Sequence, residues 1–230
     1  MREYDVLCLS ECWVKCSNDF NLKGYEKKYL FRNKCNGGGV VIFYKKRLFQ
    51  YIKIVKCCAD SMIWLKFDKS FMLNTTDLYM CAIYIPPDRN VFYRKYICDV
   101  FEILQEQIEY FSSLGTVSVL GDIDGRVGIE KDFIVSDTFD KELLDDIDFL
   151  EYEKDELLVN RLTEDLKSPN SFGCRILELC KSSGLRICNG RFGQDSSKIT
   201  FSNKNGCSII YYLLMSHDSL YNCIKNFNSV

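Results

Sequence analysis

The chain has 230 residues, 47% of them apolar and 27% charged, with a formal net charge of −2. That balance supports a sizeable core and excludes a disordered or collagen-like chain. No run approaches the roughly 20 apolar residues that a helix needs to span a bilayer, so no membrane partner is expected.

In chain order, strands are expected at residues 6–9 (VLCL), 39–44 (GVVIFY), 63–67 (IWLKF), 79–85 (YMCAIYI) and 116–120 (TVSVL). Each run is short, rich in β-branched or aromatic residues and bounded by Gly, Pro, Asp or Asn. Between the last two, residues 91–112 read as one helix. Ile97, Phe101, Leu104, Ile108 and Phe111 fall at three- and four-residue spacings, and Asn90 can cap its start. Residues 129–170 are acidic and irregular and are expected as a surface loop or insertion with some helix. A second helix fits 171–183, with Asn170 or Ser171 as cap, Ile176, Leu177 and Cys180 as apolar stripe and Gly184 as stop. Residues 199–201 and 208–215 close the chain as strands. Strands that precede a helix and follow it, without strict alternation, indicate a mixed α/β domain, taken here as one unit over residues 1–230.

Thirteen cysteines, an odd number without CxxC spacing, accompany a single histidine, His217. Zinc needs clustered ligands, so no structural zinc is expected, and the thiols read as reduced and buried. The start, MREYDVLCLSECW, lacks the basic flank and long apolar run of a signal peptide. An intracellular setting, nuclear or cytoplasmic, is therefore expected. Lysines and arginines crowd residues 23–56 against Glu26 alone. Of these, Lys45, Lys46 and Arg47 are candidates for contact with a nucleic-acid backbone, the plainer alternative being a solvated basic face.

The chemistry-bearing residues are carboxylates at strand ends. Glu11 directly follows residues 6–10, and Asp122 follows 117–121, with Asp124 two positions on. A carboxylate at the mouth of a buried strand is costly unless it is solvated, paired or bound to a metal. Two such ends brought together would offer hard oxygen ligands to Mg²⁺. Taken singly, each residue could simply end its strand at the surface.

Six segments in order carry a wider likeness: YDVLCLSECW (4–13), GGGVVIFYKKRL (37–48), YMCAIYIPP (79–87), VSVLGDIDGRVG (117–128), RILELCKSSGLRICNGRFG (175–193) and CSIIYYLLMS (207–216). Together they resemble the endonuclease/exonuclease/phosphatase superfamily, most of all the endonuclease domains of non-LTR retrotransposons. The resemblance implies a four-layer α/β sandwich, two packed mixed sheets flanked by helices. It implies hydrolysis of a DNA phosphodiester with Mg²⁺, or Mn²⁺ in its place. By the same resemblance Glu11 matches a metal-binding Glu, Tyr84 matches a phosphate-contacting or orienting Tyr, and Asp122 matches the Asp that activates water and shares the metal.

The chain departs from the family pattern in ways that put activity in doubt. Asp124 stands where the family has an Asn, so an acceptor-only carboxylate replaces an amide donor. Tyr211 stands where the family has an Asp that orients a catalytic His. A Ser-Asp-His motif is expected after a segment like residues 227–230, and a first strand before residue 4. His217 is not that histidine and reads as a surface-loop residue. The domain is thus expected to be incomplete at both ends, with open strand edges and low solubility. The sequence-level reading is a DNA endonuclease with impaired or lost activity. The alternatives are a non-catalytic nucleic-acid binder and an element fragment without function; phosphatase or deadenylase substrates also fall within the family.

Overall fold

The computed structural model describes residues 4–13, 21–30, 38–58, 60–72, 75–96, 99–134, 160–192, 195–204 and 206–216. Eleven strands among them are β1 (Val6–Ser10), β2 (Tyr25–Leu30), β3 (Val40–Lys45), β4 (Ile52–Cys58), β5 (Met62–Phe67), β6 (Leu78–Tyr84), β7 (Thr116–Asp122), β8 (Leu185–Ile187), β9 (Phe201–Asn203), β10 (Gly206–Ser208) and β11 (Tyr211–Ser216). The helices are α1 (Lys69–Met72), α2 (Phe92–Lys95), α3 (Val100–Ser112) and α4 (Ser171–Ser183), with a 3-10 turn at Lys46–Tyr51.

These strands build a three-stranded sheet, order β1-β3-β2, a six-stranded sheet, order β4-β5-β6-β7-β11-β8, and the small hairpin β9–β10. The smaller sheet is antiparallel throughout. The larger is mixed, because β6 and β7 run parallel. A parallel pair cannot be closed by a tight turn, and α2 and α3 supply the crossover between the two strands.

Alternation along the central strands sends side chains to two different cores. On β5, Ile63, Leu65 and Phe67 face the smaller sheet, where they meet Val40, Ile42 and Tyr44 of β3. Met62 and Trp64 face the other way, toward Leu104, Ile108 and Phe111 of α3. The Trp64 and Phe111 rings lie 4.4 Å apart. Strands buried on both faces read as continuous apolar runs, which is why the sequence shows them so clearly. On β6 the same alternation puts Ala82 and Tyr84 on the inter-sheet side. The described residues thus form an α/β sandwich of two sheets with α3 and α4 on the outer face of the larger one. A helical cover on the smaller sheet is not among the described residues.

Several expectations change at the level of single elements. The helix expected over 91–112 is two helices. Asp99 is extended, and its carboxylate accepts from the amides of Phe101 at 2.9 Å and Glu102 at 3.2 Å, starting α3 afresh. Asn90 stands one residue before the N-cap of the short α2, Val91, and accepts from the Phe92 amide at 3.0 Å. Ile97 lies outside the described residues. The cap of α4 is Asn170, which accepts from the Gly173 amide, and Gly184 ends the helix at φ 71°. The strand expected over 208–215 is broken at Ile209 and Ile210. Their amides are taken by the Asp165 carboxylate and the Thr200 hydroxyl, so they leave the ladder between β10 and β11. β2, β4 and β8 were not expected. β4 is an exposed edge with Lys53 and Lys56 and a bulge, a pattern that hides it from apolar periodicity and guards the edge.

The stretch 129–170 is irregular where described, but it is not simply a surface loop. Asp132 and Asp165 are 0% and 4% exposed. Each tolerates burial because an arginine pairs with it. Arg191 meets both oxygens of Asp132 at 2.6 and 2.7 Å, and Arg126 meets Asp165 at 3.1 Å. The densest acidic run, Asp145 to Glu156, lies outside the described residues. So does His217. No described helix is long and apolar enough to cross a membrane.

Candidate active site

The two carboxylates singled out in the sequence come together at one end of the sandwich. Asp122 is the last residue of β7, where Gly121 before it passes so close to β6 that an added Cβ would lie 1.9 Å from the Ile83 carbonyl oxygen. Only glycine permits that approach. It draws the end of β7 against β6, and Tyr84 pairs in register with Asp122. On its other side Asp122 pairs in register with Tyr211, the first residue of β11. Residues in register share a face, so Tyr84, Asp122 and Tyr211 form a row on the inter-sheet side.

Glu11 reaches this row from the smaller sheet. It follows β1 with φ of +53°, a left-handed conformation that costs a non-glycine residue on the order of 1 kcal/mol or more. The turn aims the carboxylate across the gap, where the Tyr84 hydroxyl donates to Glu11 Oε1. Asp124, with φ of +48°, turns back in the same way, and its amide donates to Asp122 Oδ1 at 3.1 Å. The Asp124 carbonyl accepts from Asn170 Nδ2 at 3.4 Å, which ties the loop after β7 to the cap of α4.

The electrostatics of the cluster follow from crowding acids in a half-buried place. Burial, with smaller contributions from Glu11 and Asp124, pushes the Asp122 carboxyl up to about 7, despite the Asp124 amide that holds it down. Burial together with Glu11 and Asp88 raises Asp124 to about 6. The Tyr211 phenol is also raised, first by burial and then by Asp122 and Glu11. Among the described residues no basic side chain contributes to Asp122 or Asp124, and protons or a cation would relieve the repulsion within the cluster.

The donor set suits a hard divalent cation such as Mg²⁺, whose ligands are carboxylate, water and phosphate oxygens. Among the described residues no three His, Cys, Asp or Glu stand close enough to form a ready-made cage. Glu11 and Asp122 would therefore hold such an ion with water or substrate oxygens completing its shell, the usual arrangement for Mg²⁺.

The structure brings Glu11, Tyr84, Asp122, Asp124 and Tyr211 to this place, and leaves Lys45, Lys46 and Arg47 out of it. β1 and β3 are antiparallel with Ser10 opposite Val40 and Val6 opposite Tyr44. The basic trio therefore lies at the far end of the smaller sheet, roughly 17 Å from Glu11 along a five-residue strand. There Lys45 and Arg47 pair with Asp5, and Lys46 with Glu26. Three further residues act at the site without having been singled out from sequence. Ser10 lines the same opening as Tyr211, Asp88 acts on Asp124, and Asn170 holds the loop. For Asp88 the available signal was its place directly after the proline pair that ends β6; Ser10 stood next to Glu11.

Comparison with solved structures agrees with this architecture. The endonuclease domain of TRAS1, a telomere-specific non-LTR retrotransposon, superposes with a TM-score of 0.51 at 10% identity, over 94% of this chain and 75% of its own. The catalytic domain of Xenopus laevis APE2 gives 0.56 at 15% identity, over 94% and 75%. A Neisseria 3′ phosphatase, NExo, solved with a product DNA hairpin, gives 0.53 at 13% identity, over 94% and 78%. The chain has an endonuclease/exonuclease/phosphatase-like fold. No protein-family profile matches the sequence, and neither does any curated protein.

Proposed function

We propose that this chain is a metal-dependent phosphodiester hydrolase that cuts DNA in the manner of a retrotransposon endonuclease, at a rate well below that of a complete site. The observation that carries the reading is the Tyr84 hydroxyl on Glu11, made while Tyr84 stands in register beside Asp122. Three strands from two sheets thereby aim two acids and a phenol at one point. Solved structures with a similar fold include a retrotransposon endonuclease domain and a phosphatase solved with DNA, which supports DNA as the substrate.

Each residue has a definable task. Mg²⁺, or Mn²⁺ in its place, would when bound neutralise developing charge on the phosphate and leaving oxygens. Glu11 and Asp122 are the residues to hold it. Asp122 would also take the proton of the attacking water. Tyr84 fixes the orientation of Glu11, a supporting role worth roughly 10- to 100-fold.

Two positions account for the reduced rate. Asp124, when ionised, repels the phosphate that an amide would bind. Tyr211 brings no negative charge to the end of β11, so a general acid or base there lacks an orienting carboxylate. A positioned acid or base contributes roughly 10² to 10⁴ in rate, and the loss is of that order.

The test is relaxation of supercoiled plasmid by the purified chain with Mg²⁺. Slow nicking that disappears in Glu11→Ala and in Asp122→Ala is expected. Absence of nicking above a buffer blank would remove the hydrolase reading.

A further inference from the structure

We propose that the Tyr211 hydroxyl, beside Ser10, donates a hydrogen bond to a non-bridging oxygen of the scissile phosphate, which makes Tyr211 a substrate-binding residue and not merely the place where a carboxylate is missing. This deepens the hydrolase reading above and rests on it.

The argument begins with the row Tyr84–Asp122–Tyr211. The two phenols flank Asp122 in register but are committed differently. Tyr84 is 4% exposed and gives its proton to Glu11. Tyr211 is 41% exposed. Ser10, the residue before Glu11, is its neighbour along the gap between the sheets. If Ser10 donates to the phenol oxygen, the phenol proton is left to point outward, and a donor that itself accepts a hydrogen bond is strengthened. Ser10 and Tyr211 both line an opening of about 310 Å³ between the sheets, beside Gly121 at the foot of Asp122. Tyr211 thus borders an opening that reaches Gly121, the residue before Asp122, and its phenol stays reachable from solvent.

The charge of the site explains why a neutral donor belongs there. A phosphodiester must approach Glu11, Asp122 and Asp124, all of which repel it when ionised. Asp124 accepts only, and its amide proton is already given to Asp122. A phenol hydroxyl offers the anion a proton without adding charge that would tie up the metal-holding acids. A hydrogen bond to a charged oxygen is worth on the order of 10- to 100-fold in binding or rate.

The experiment is a coupling cycle between Tyr211 and the substrate oxygen. Oligonucleotides with sulfur in place of either non-bridging oxygen at the cleaved phosphate are compared with the unmodified strand in wild type, Tyr211→Phe and Ser10→Ala. Sulfur accepts hydrogen bonds poorly, so wild type should lose rate with one of the two diastereomers. In Tyr211→Phe, kcat/KM for the unmodified strand should fall about 10- to 100-fold, and the penalty for that diastereomer should shrink by the same factor. Ser10→Ala should show a smaller change in the same direction. Anisotropy of a labelled strand in Ca²⁺ gives a readout without turnover, and Tyr211→Phe should bind it more weakly. A slower Tyr211→Phe that keeps the full sulfur penalty would mean that the phenol only ties the sheets together, and the proposal would fall. Wild type that neither binds nor cleaves would overturn the hydrolase reading and this proposal with it. Cleavage by wild type with unchanged Tyr211→Phe would overturn this proposal alone.

Discussion

Tyr84 and Asp122 lie side by side in register on the only parallel strand pair among the described residues, and the tyrosine hydroxyl leaves that row to donate to Glu11 on the facing sheet. One phenol therefore connects the two sheets at the point where the acids meet. Tyr84 is buried while Glu11 is exposed, so a fixed ring directs the Glu11 side chain from below.

The first expectation concerns that bond. Tyr84→Phe keeps the buried ring and removes the donor to Glu11. Plasmid nicking should slow by roughly 10- to 100-fold, the usual effect of losing an orienting partner of a metal ligand. The far-UV circular dichroism spectrum should not change. Unaltered nicking would show that Glu11 needs no such support.

A second expectation concerns pH. The folded-state carboxyl of Asp122 is raised from 3.8 to about 7, the reverse of the usual salt-bridged aspartate. Between those values the folded chain holds a proton that the unfolded chain releases, so stability falls as pH rises from about 4 to about 7 and levels off above. The loss from this group is at most about 4 kcal/mol, since one pKa unit is 1.36 kcal/mol. Asp122→Asn should unfold at a higher denaturant concentration than wild type at pH 8, with the gap closing near pH 4. Mg²⁺ at pH 8 should raise the melting temperature of wild type more than that of Asp122→Asn. A gap that widens on acidification would contradict the burial assignment.

Asp124 allows a gain-of-function test. Asp124→Asn removes a carboxylate raised to about 6 and supplies an amide donor. Nicking at pH 8 should rise, by roughly 10-fold if one hydrogen bond to the phosphate is restored. The wild-type deficit should narrow as pH falls through 6, where Asp124 takes up a proton and becomes a donor itself. A slower Asp124→Asn would assign the ionised carboxylate a positive role.

The buried pair Asp132–Arg191 sets a stability expectation away from the site. Both side chains are almost fully enclosed, at 0% and 3% exposure, and Asp132 also accepts from the Ile187 amide at 2.7 Å. Asp132→Ala strands a buried guanidinium and should cost about 3–5 kcal/mol in a urea titration. Changing both residues to apolar ones of similar size should recover much of that loss. A cost under about 1 kcal/mol for the single change would mean that water reaches the pair.

The fate of the basic trio is a fifth relationship open to test. Neutralising Lys45, Lys46 and Arg47 together should leave nicking within about 2-fold at moderate salt, because screening over roughly 8–10 Å removes their field at the acids. A steep loss that grows at low salt would return them to the DNA path.

Much of the architecture was legible in the amino-acid order for a specific reason. Strands β3, β5, β6 and β7 are buried on one or both faces, so their sequences are dominated by apolar residues. Edge strands carry no such mark. β2 and β4 mix lysines with apolar residues and are held by ladder bonds to β3 and β5 rather than by burial. The break at Ile209 and Ile210 was equally silent, since the Asp165 and Thr200 side chains that take their amides come from other parts of the chain.

For the site, the sequence by itself determined which acids stand at strand ends: Glu11 after β1, Asp122 and Asp124 at the end of β7. It also determined that a tyrosine and not an acid begins β11. Residue order carries strand-end chemistry because strand ends are set locally, by alternation and turn residues. Only the tertiary structure decided that these ends meet, that the Tyr84 hydroxyl supports Glu11, and that Lys45, Lys46 and Arg47 lie at the opposite end of their sheet. Those outcomes depend on register across strands distant in the chain, and a shift of one residue would have turned each of these side chains to the other face.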